Sequence, residues 1–357
     1  MSYESVLPTN EFRRILVVRL GAMGDIIHAL PAVARLKCSF PRARITWAVE
    51  SRWAPLLDDN PYVDSVLPLV ISKWRRAPWR IATWFEFRDS RRQLRAGRFD
   101  LAIDFQGLFK SAMVTYLSRA DRVFGFERDM LRERIAASFY SNRVASHSAH
   151  VVQQNIDLAT AVGGTNGPIV FPLPEGEPDA SLPKGDYVLA SPVAGWTSKQ
   201  WPPEHYAELG RLLWREKGLP LVIDCAPAHR SYGEQIVNQA PKGSCVLHVS
   251  SLAGLLAATR RAKAVVGVDS GPLHLAAALQ IPGVAIFGQT DPARNGPYGG
   301  SFKVLRASGV VTSYKRDDKI QACMLVIRTE QVWEALQAQL SKRTRQMQPA
   351  AGRHLSF

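Results

Sequence analysis

Short β-branched runs alternate with stretches of helical period along most of this chain. RILVVRL (14–20) reads as a strand, GAMGD (21–25) as a glycine turn, and IIHALPAVARLKCSF (26–40) as an amphipathic helix. Further strands are expected at RITWAV (44–49), VDSVLPL (63–69), FDLAIDF (99–105) and VFGF (123–126), with a helix at GLFKSAMVTYLS (107–118). Residues 80–96 place aromatic and basic side chains at helical spacing. This alternation predicts an α/β protein whose mainly parallel sheet is covered on both faces.

The pattern breaks at 167–186, where prolines, glycines and acids crowd together without an apolar period. It then restarts. Strands are expected at YVLASPV (187–193), LPLVIDC (219–225), AVVGVD (264–269) and VAIFG (284–288). Helices are expected at 202–218, 251–262, 271–280 and 328–340. The expected organisation is a first Rossmann-like domain at 1–172, a linker at 173–186 and a second such domain at 187–327. A C-terminal helix and basic tail at 328–357 follow, the helix returning to pack on the first domain. Open sheets of this kind bind ligands at the carboxyl ends of their strands, so two facing domains predict a cleft with one substrate held by each.

Composition narrows the class. The 357 residues exceed one ordinary core, and 46% hydrophobic residues with 21% charged suit a globular rather than a disordered chain. Lys and Arg total 45 against 31 Asp and Glu, a formal charge of +14 that draws in polyanions: nucleic acid, an anionic membrane face or an acidic substrate. Cys38, Cys225, Cys245 and Cys323 are scattered, without zinc spacing, and fit a reducing compartment. No secretory leader or run of ~20 apolar residues is apparent, so a cytoplasmic protein is expected, at most bound to a membrane surface.

Three stretches carry chemistry. In GAMGD the glycines let the backbone turn tightly, and the helix that opens there favours an anion. Asp25 sits in its first turn, either as a plain helix-terminal carboxylate or as a catalytic base. Arg19 stands where a dinucleotide fingerprint would have its first glycine, and Glu50 could imitate that fold's ribose-binding acid. His28, one turn after Asp25, reads as a packing histidine. In DSGPLH (269–274) a strand runs into a helix opened by Pro272. Hydroxyl and backbone N–H groups then meet as a diphosphate cradle, or Asp269 and Ser270 serve only as caps. GQTDP, at the next strand end, frames the same place. In WTSKQWP (196–202), Lys199 is either a solvated loop lysine or a mobile cation for the cradle, and Trp196 and Trp201 either stack or pack.

Taken in order, RLGAMGDIIHALP, AIDFQGLFKSA, KQWPPEHYAEL, VDSGPLHLAAAL and FGQTDP resemble the family 9 glycosyltransferases, the ADP-heptose:lipopolysaccharide heptosyltransferases. The likeness spans nearly the whole chain. ISKWRRAPW (71–79) and AIDFQGLFKSA make it most similar to the heptosyltransferase I subgroup. The resemblance implies a GT-B fold and an inverting, metal-independent transfer of heptose from ADP-heptose to a Kdo–lipid A acceptor, with no cofactor. It carries the catalytic base onto Asp25 and the phosphate cation onto Lys199. Donor contacts fall on Gly195, Lys199, Glu234, Asp269, Ser270, Gly271 and His274. Acceptor contacts fall on Gly24, Lys73, Arg75, Arg76, Arg132 and His150.

Two positions depart from the subgroup. Ala194 and Gly195 precede Lys199 where it has a pair of threonines, and His229 and Arg230 stand where a ribose-binding acid is expected, with Glu234 as a substitute. Addition of a second heptose or another sugar is the nearest alternative. The basic residues between Lys73 and Arg98 suggest a grip on an anionic lipid-linked saccharide and on the inner-leaflet surface, hence a peripheral enzyme on the cytoplasmic face. An NAD-dependent dehydrogenase and a basic nucleic-acid-binding protein are distant rivals; the latter lacks any recognisable module.

Overall fold

In a computed structural model, the structure describes residues 12–71, 73, 79 and 81–347, with side chains as far as Lys342. The chain forms two compact units, Met1–Pro174 and Glu175–Phe357, and the change of unit falls inside the Pro- and acid-rich stretch.

The first unit is built on β1 (Arg14–Val18), β2 (Arg44–Glu50), β3 (Ser65–Leu69), β4 (Leu101–Asp104), β5 (Arg122–Phe126) and β6 (Asn142–Val144). All pair in parallel, in the order β3-β2-β1-β4-β5-β6. The β1 run is buried from Ile15 to Val18, as a strand covered on both faces must be. Its helices are α1 (Met23–Ser39), α2 (Ile81–Ala96), α3 (Phe109–Ser118) and α4 (Val151–Ala161). In α1 the buried Ile26, Ile27, Leu30, Val33 and Leu36 recur at helical spacing. The helix stops at Phe40, whose N–H donates to the Leu36 carbonyl, with Lys37 in the last turn suiting the dipole.

The second unit repeats the plan. Its strands are β7 (Val188–Ser191), β8 (Leu221–Cys225), β9 (Cys245–Val249), β10 (Ala264–Val268), β11 (Gly283–Phe287) and β12 (Phe302–Arg306), in the order β12-β11-β10-β7-β8-β9. Read from the other edge, this is the order of the first sheet. Helices α5 (Pro203–Lys217), α6 (Arg230–Gln239), α7 (Leu252–Arg261), α8 (Gly271–Ala278) and α9 (Thr329–Met347) cover it. The sequence reading has the last helix returning to the first domain. In the structure its Val332 and Leu336 fill a core of the second unit shared with Leu209, Leu213, Val284 and Ile286. No described helix is long and apolar enough to cross a membrane.

The edge strands β6, β9 and β12 and the helices α4 and α6 escape the pattern reading. β12 is nowhere fully buried, so its side chains lack the continuous apolar run that marks the central strands.

Candidate active site

In each sheet the strand order reverses direction between two central strands, and there the loops leave a crevice at the carboxyl ends. In the first unit these strands are β1 and β4, with Val18 beside Asp104. In the second they are β7 and β10, with Ser191 beside Gly267. The predicted chemistry lies directly past these four strands.

After β1 the chain passes Arg19, Leu20 and Gly21 and enters α1. Gly21 has φ +146°, and a β-carbon there would stand 2.9 Å from the Trp53 ring, so the turn admits only glycine. Asp25 occupies the third helical position. The Ala22 N–H donates to its Oδ2 at 2.9 Å, and the Arg19 guanidinium lies 2.8 Å from its Oδ1. Both oxygens are thus held in place, yet the side chain stays 40% exposed and open to a ligand. The carboxylate is fixed more firmly than a helix dipole alone would fix it.

The loop after β4 completes the arrangement. Asp104 is fully buried and accepts from the Gln106 N–H at 2.8 Å, the Gly107 N–H at 3.2 Å, the Ser111 hydroxyl at 2.8 Å and the Tyr140 hydroxyl at 2.7 Å. Burial raises its carboxyl pKa, and these four donors offset only part of the rise. The shaped loop in turn holds β1: the Gln106 amide oxygen accepts from the Leu20 N–H at 2.8 Å, and the Phe105 carbonyl accepts from the Arg19 guanidinium. Arg19 and the Asp104–Gln106 loop therefore belong to the Asp25 environment. The sequence reading noted Arg19 only as a missing glycine. Its place one residue past a central strand was the available signal.

The expected acceptor residues scatter over several elements. Gly24 is buried in the first turn of α1. His150 caps α4 by accepting the Val152 N–H on Nδ1 at 3.1 Å, and its ring meets the buried His28 edge-on, with centroids 5.7 Å apart. Arg132 is exposed between two short turns of 3₁₀ helix. Lys73 pairs with Glu86 of α2. Arg75 and Arg76 lie outside the described residues. Beside Lys73, α2 exposes Trp84 and Phe85, with Arg88 stacked on the Phe85 ring at 5.1 Å; Arg91 lines the same shallow pocket.

In the second unit Lys199 closes the 3₁₀ turn Thr197–Lys199 after β7. It is an ion-paired cation rather than a solvated loop lysine. Its ammonium donates to Asp269 Oδ2 at 2.5 Å and sits 4.3 Å from the centre of the Trp196 ring. Thr290, in the GQTDP turn after β11, donates to the same oxygen at 2.7 Å, and His274 Nε2 lies 3.5 Å from Oδ1. Burial raises the Asp269 pKa, but the His274 hydrogen bond and the Lys199 charge outweigh it and hold the carboxyl below the usual range. Asp269 is thus the hub that gathers all three predicted stretches of this unit.

Ser270 and Gly271 open α8. The Ser270 hydroxyl makes no capping bond and, although buried, has no partner among the described residues, while the helix N-terminus beside it favours an anion. Gly195 is exposed, with open space where a side chain would stand. Glu234 sits on α6 in a surface pair with Arg230 at 2.8 Å. Trp201 and Trp196 divide the two roles left open for them. Trp201 is a core residue, donating to the Ile327 carbonyl at 2.8 Å, whereas Trp196 carries Lys199. Thr290 was missed as a side chain, though its turn was read as part of the site.

Known proteins share this framework. Residues 87–322 match the model of glycosyltransferase family 9 (heptosyltransferase). Lipopolysaccharide heptosyltransferase 1 of Pseudomonas aeruginosa is 32% identical over 298 residues, covering 81% of this chain and 82% of its own length. Among solved structures, E. coli heptosyltransferase WaaC with ADP superposes with a TM-score of 0.75 at 27% identity, covering 91% of this chain and 99% of that one. The same enzyme with ADP-2-deoxy-2-fluoro heptose gives 0.72 at 28% identity, covering 90% and 98%.

Proposed function

The chain belongs to glycosyltransferase family 9 and has the GT-B fold, and from that premise we propose that it transfers heptose from ADP-heptose to a Kdo–lipid A acceptor, with inversion and without a metal. The observation that carries the donor half is the cluster of Lys199, Asp269, His274 and the unpartnered Ser270 hydroxyl at the start of α8. A cation, a hydroxyl and free helix N–H groups converge there, as an ADP diphosphate requires. Similarity to an enzyme solved with ADP and with a fluorinated ADP-heptose supports the nucleotide and the sugar. Similarity to lipopolysaccharide heptosyltransferase 1 supports the lipid-linked acceptor.

In this reading Asp25 is the general base. Held by Arg19 and the Ala22 N–H but partly exposed, it takes the proton from the acceptor hydroxyl as that oxygen bonds to the anomeric carbon. The bond from that carbon to the diphosphate oxygen breaks with its electron pair passing to ADP. Lys199, the Ser270 hydroxyl and the α8 N-terminus stabilise the growing charge. Base and leaving-group clamp come from separate units. Gly195, Gly271 and Glu234 complete the donor contacts, and Gly24, Lys73, Arg75, Arg76, Arg132 and His150 those of the acceptor. The exposed Trp84, Phe85 and Arg88 on α2 suit the surface of the anionic inner leaflet, where such an acceptor is anchored.

Calorimetric titration with ADP, UDP, GDP and NADH tests the donor assignment. ADP should bind most tightly, and Lys199→Ala should weaken it by about 10–100-fold, as loss of a charge-assisted contact does. Preference for UDP or GDP overturns the ADP-sugar assignment, and NADH binding without diphosphate selectivity overturns the donor site.

A further inference from the structure

The segment Ser313–Gln321 follows β12 and matches none of the motif stretches, yet it is tied to both loops of the donor half-site. The Ser313 N–H donates to the Gln289 carbonyl at 3.0 Å, one residue before Thr290. The Ser198 N–H donates to the Asp317 carbonyl at 3.2 Å, one residue before Lys199. Gln321 links the two, accepting from the Gln289 side chain and donating to Asp317 Oδ2, both at 2.8 Å.

These bonds set Arg316 against the site. Its guanidinium carbon lies 5.2 Å from the centre of the Trp196 ring, the same ring that carries the Lys199 ammonium at 4.3 Å. The indole attracts each cation, while like charges repel. Asp269 answers the charge of Lys199, whereas Arg316 forms no ion pair among the described residues. Of the two cations drawn to one ring, only Lys199 is answered by a carboxylate at ion-pair distance, so the Arg316 charge stands unanswered beside an anion cradle. A ligand with more than one negative charge would offset it.

We propose that Arg316 is a second cationic ligand of the donor diphosphate, presented by the 313–321 segment and oriented by Trp196. Its planar fork can grip two phosphate oxygens at once, while Lys199 acts as a point charge from the cradle side. The proposal rests on the reading of the second unit as the donor site.

The test is ADP titration and donor steady-state kinetics on the full chain for Arg316→Ala, Arg316→Lys, Lys199→Ala and Lys319→Ala. Lys319 lies in the same exposed segment and controls for a general loss of positive field. Arg316→Ala should raise the ADP Kd and the donor KM by about 10–100-fold. Arg316→Lys should recover part of this, and Lys319→Ala should stay within about two-fold of the parent. If Arg316→Ala binds ADP as the parent does while Lys199→Ala is impaired, the proposal fails and the donor reading stands. An equal loss in Lys319→Ala also overturns it, since a diffuse field would then explain the effect. Failure of the parent to bind ADP overturns both.

Discussion

Replacing Asp269 by Asn would expose how much the donor half-site depends on a single carboxylate. The side chain is about the same size, so packing is kept while the charge is lost. In the folded protein that charge answers Lys199 at 2.5 Å and accepts from Thr290 at 2.7 Å, with His274 at 3.5 Å. Removing one partner of a buried ion pair costs about 3–5 kcal/mol, because the other charge is left stranded. Lys199 retains 18% exposure and can draw some water, which lowers the expectation to about 2–3 kcal/mol. For a unit of this size that is a fall in Tm of roughly 4–12 °C. Scanning calorimetry on parent and variant measures it, and added ADP marks the transition of the donor unit by raising its Tm. Because the folded Asp269 carboxyl is held below the usual range, its stabilisation is complete above the unfolded pKa of ~3.9 and is lost as pH falls through the folded value. The gap between parent and variant should therefore stay constant from about pH 7 to 5 and narrow only on further acidification. A loss below about 1 kcal/mol, or a gap already closing at pH 6, would refute the hub role of Asp269.

Other perturbations probe the first unit and the chemistry. Asp25→Asn should lower turnover by about 10²–10⁴-fold while ADP binding stays near the parent value; near-normal turnover in initial-rate assays removes Asp25 as the base. Gly21→Ala should destabilise the first unit by about 1–3 kcal/mol, through the positive φ and the close Trp53 ring, and denaturant titration would show it as a lower midpoint. A chelator should leave heptose transfer intact, and activity lost to EDTA but restored by magnesium would contradict the metal-free mechanism. Arg19→Gln should reduce turnover, because the guanidinium 2.8 Å from Asp25 holds that carboxylate in place; unchanged turnover in initial-rate assays would reduce Arg19 to a packing role.

Much of this protein was legible before its structure. The central strands were readable because burial on both faces demands continuous apolar runs, as in Ile15–Val18 and Ala264–Val268. The motif stretches were readable because glycine, proline and short polar residues are favoured where a strand turns tightly into a helix. Asp25, Lys199 and Asp269 could therefore be named, and the family with them. Tertiary structure alone decided which of these touch. Lys199 and Asp269 stand 70 positions apart, and only the pairing of β7 with β10 makes them an ion pair. Arg19 and Phe105 meet because β1 lies beside β4, and Arg316 reaches Trp196 only through the bonds that tie its segment to two distant loops. The packing of α9 on the second unit was likewise invisible, since an apolar stripe specifies that a face is buried but not against what. Local sequence sets which residues can do chemistry; the order of strands in the sheet sets which of them meet.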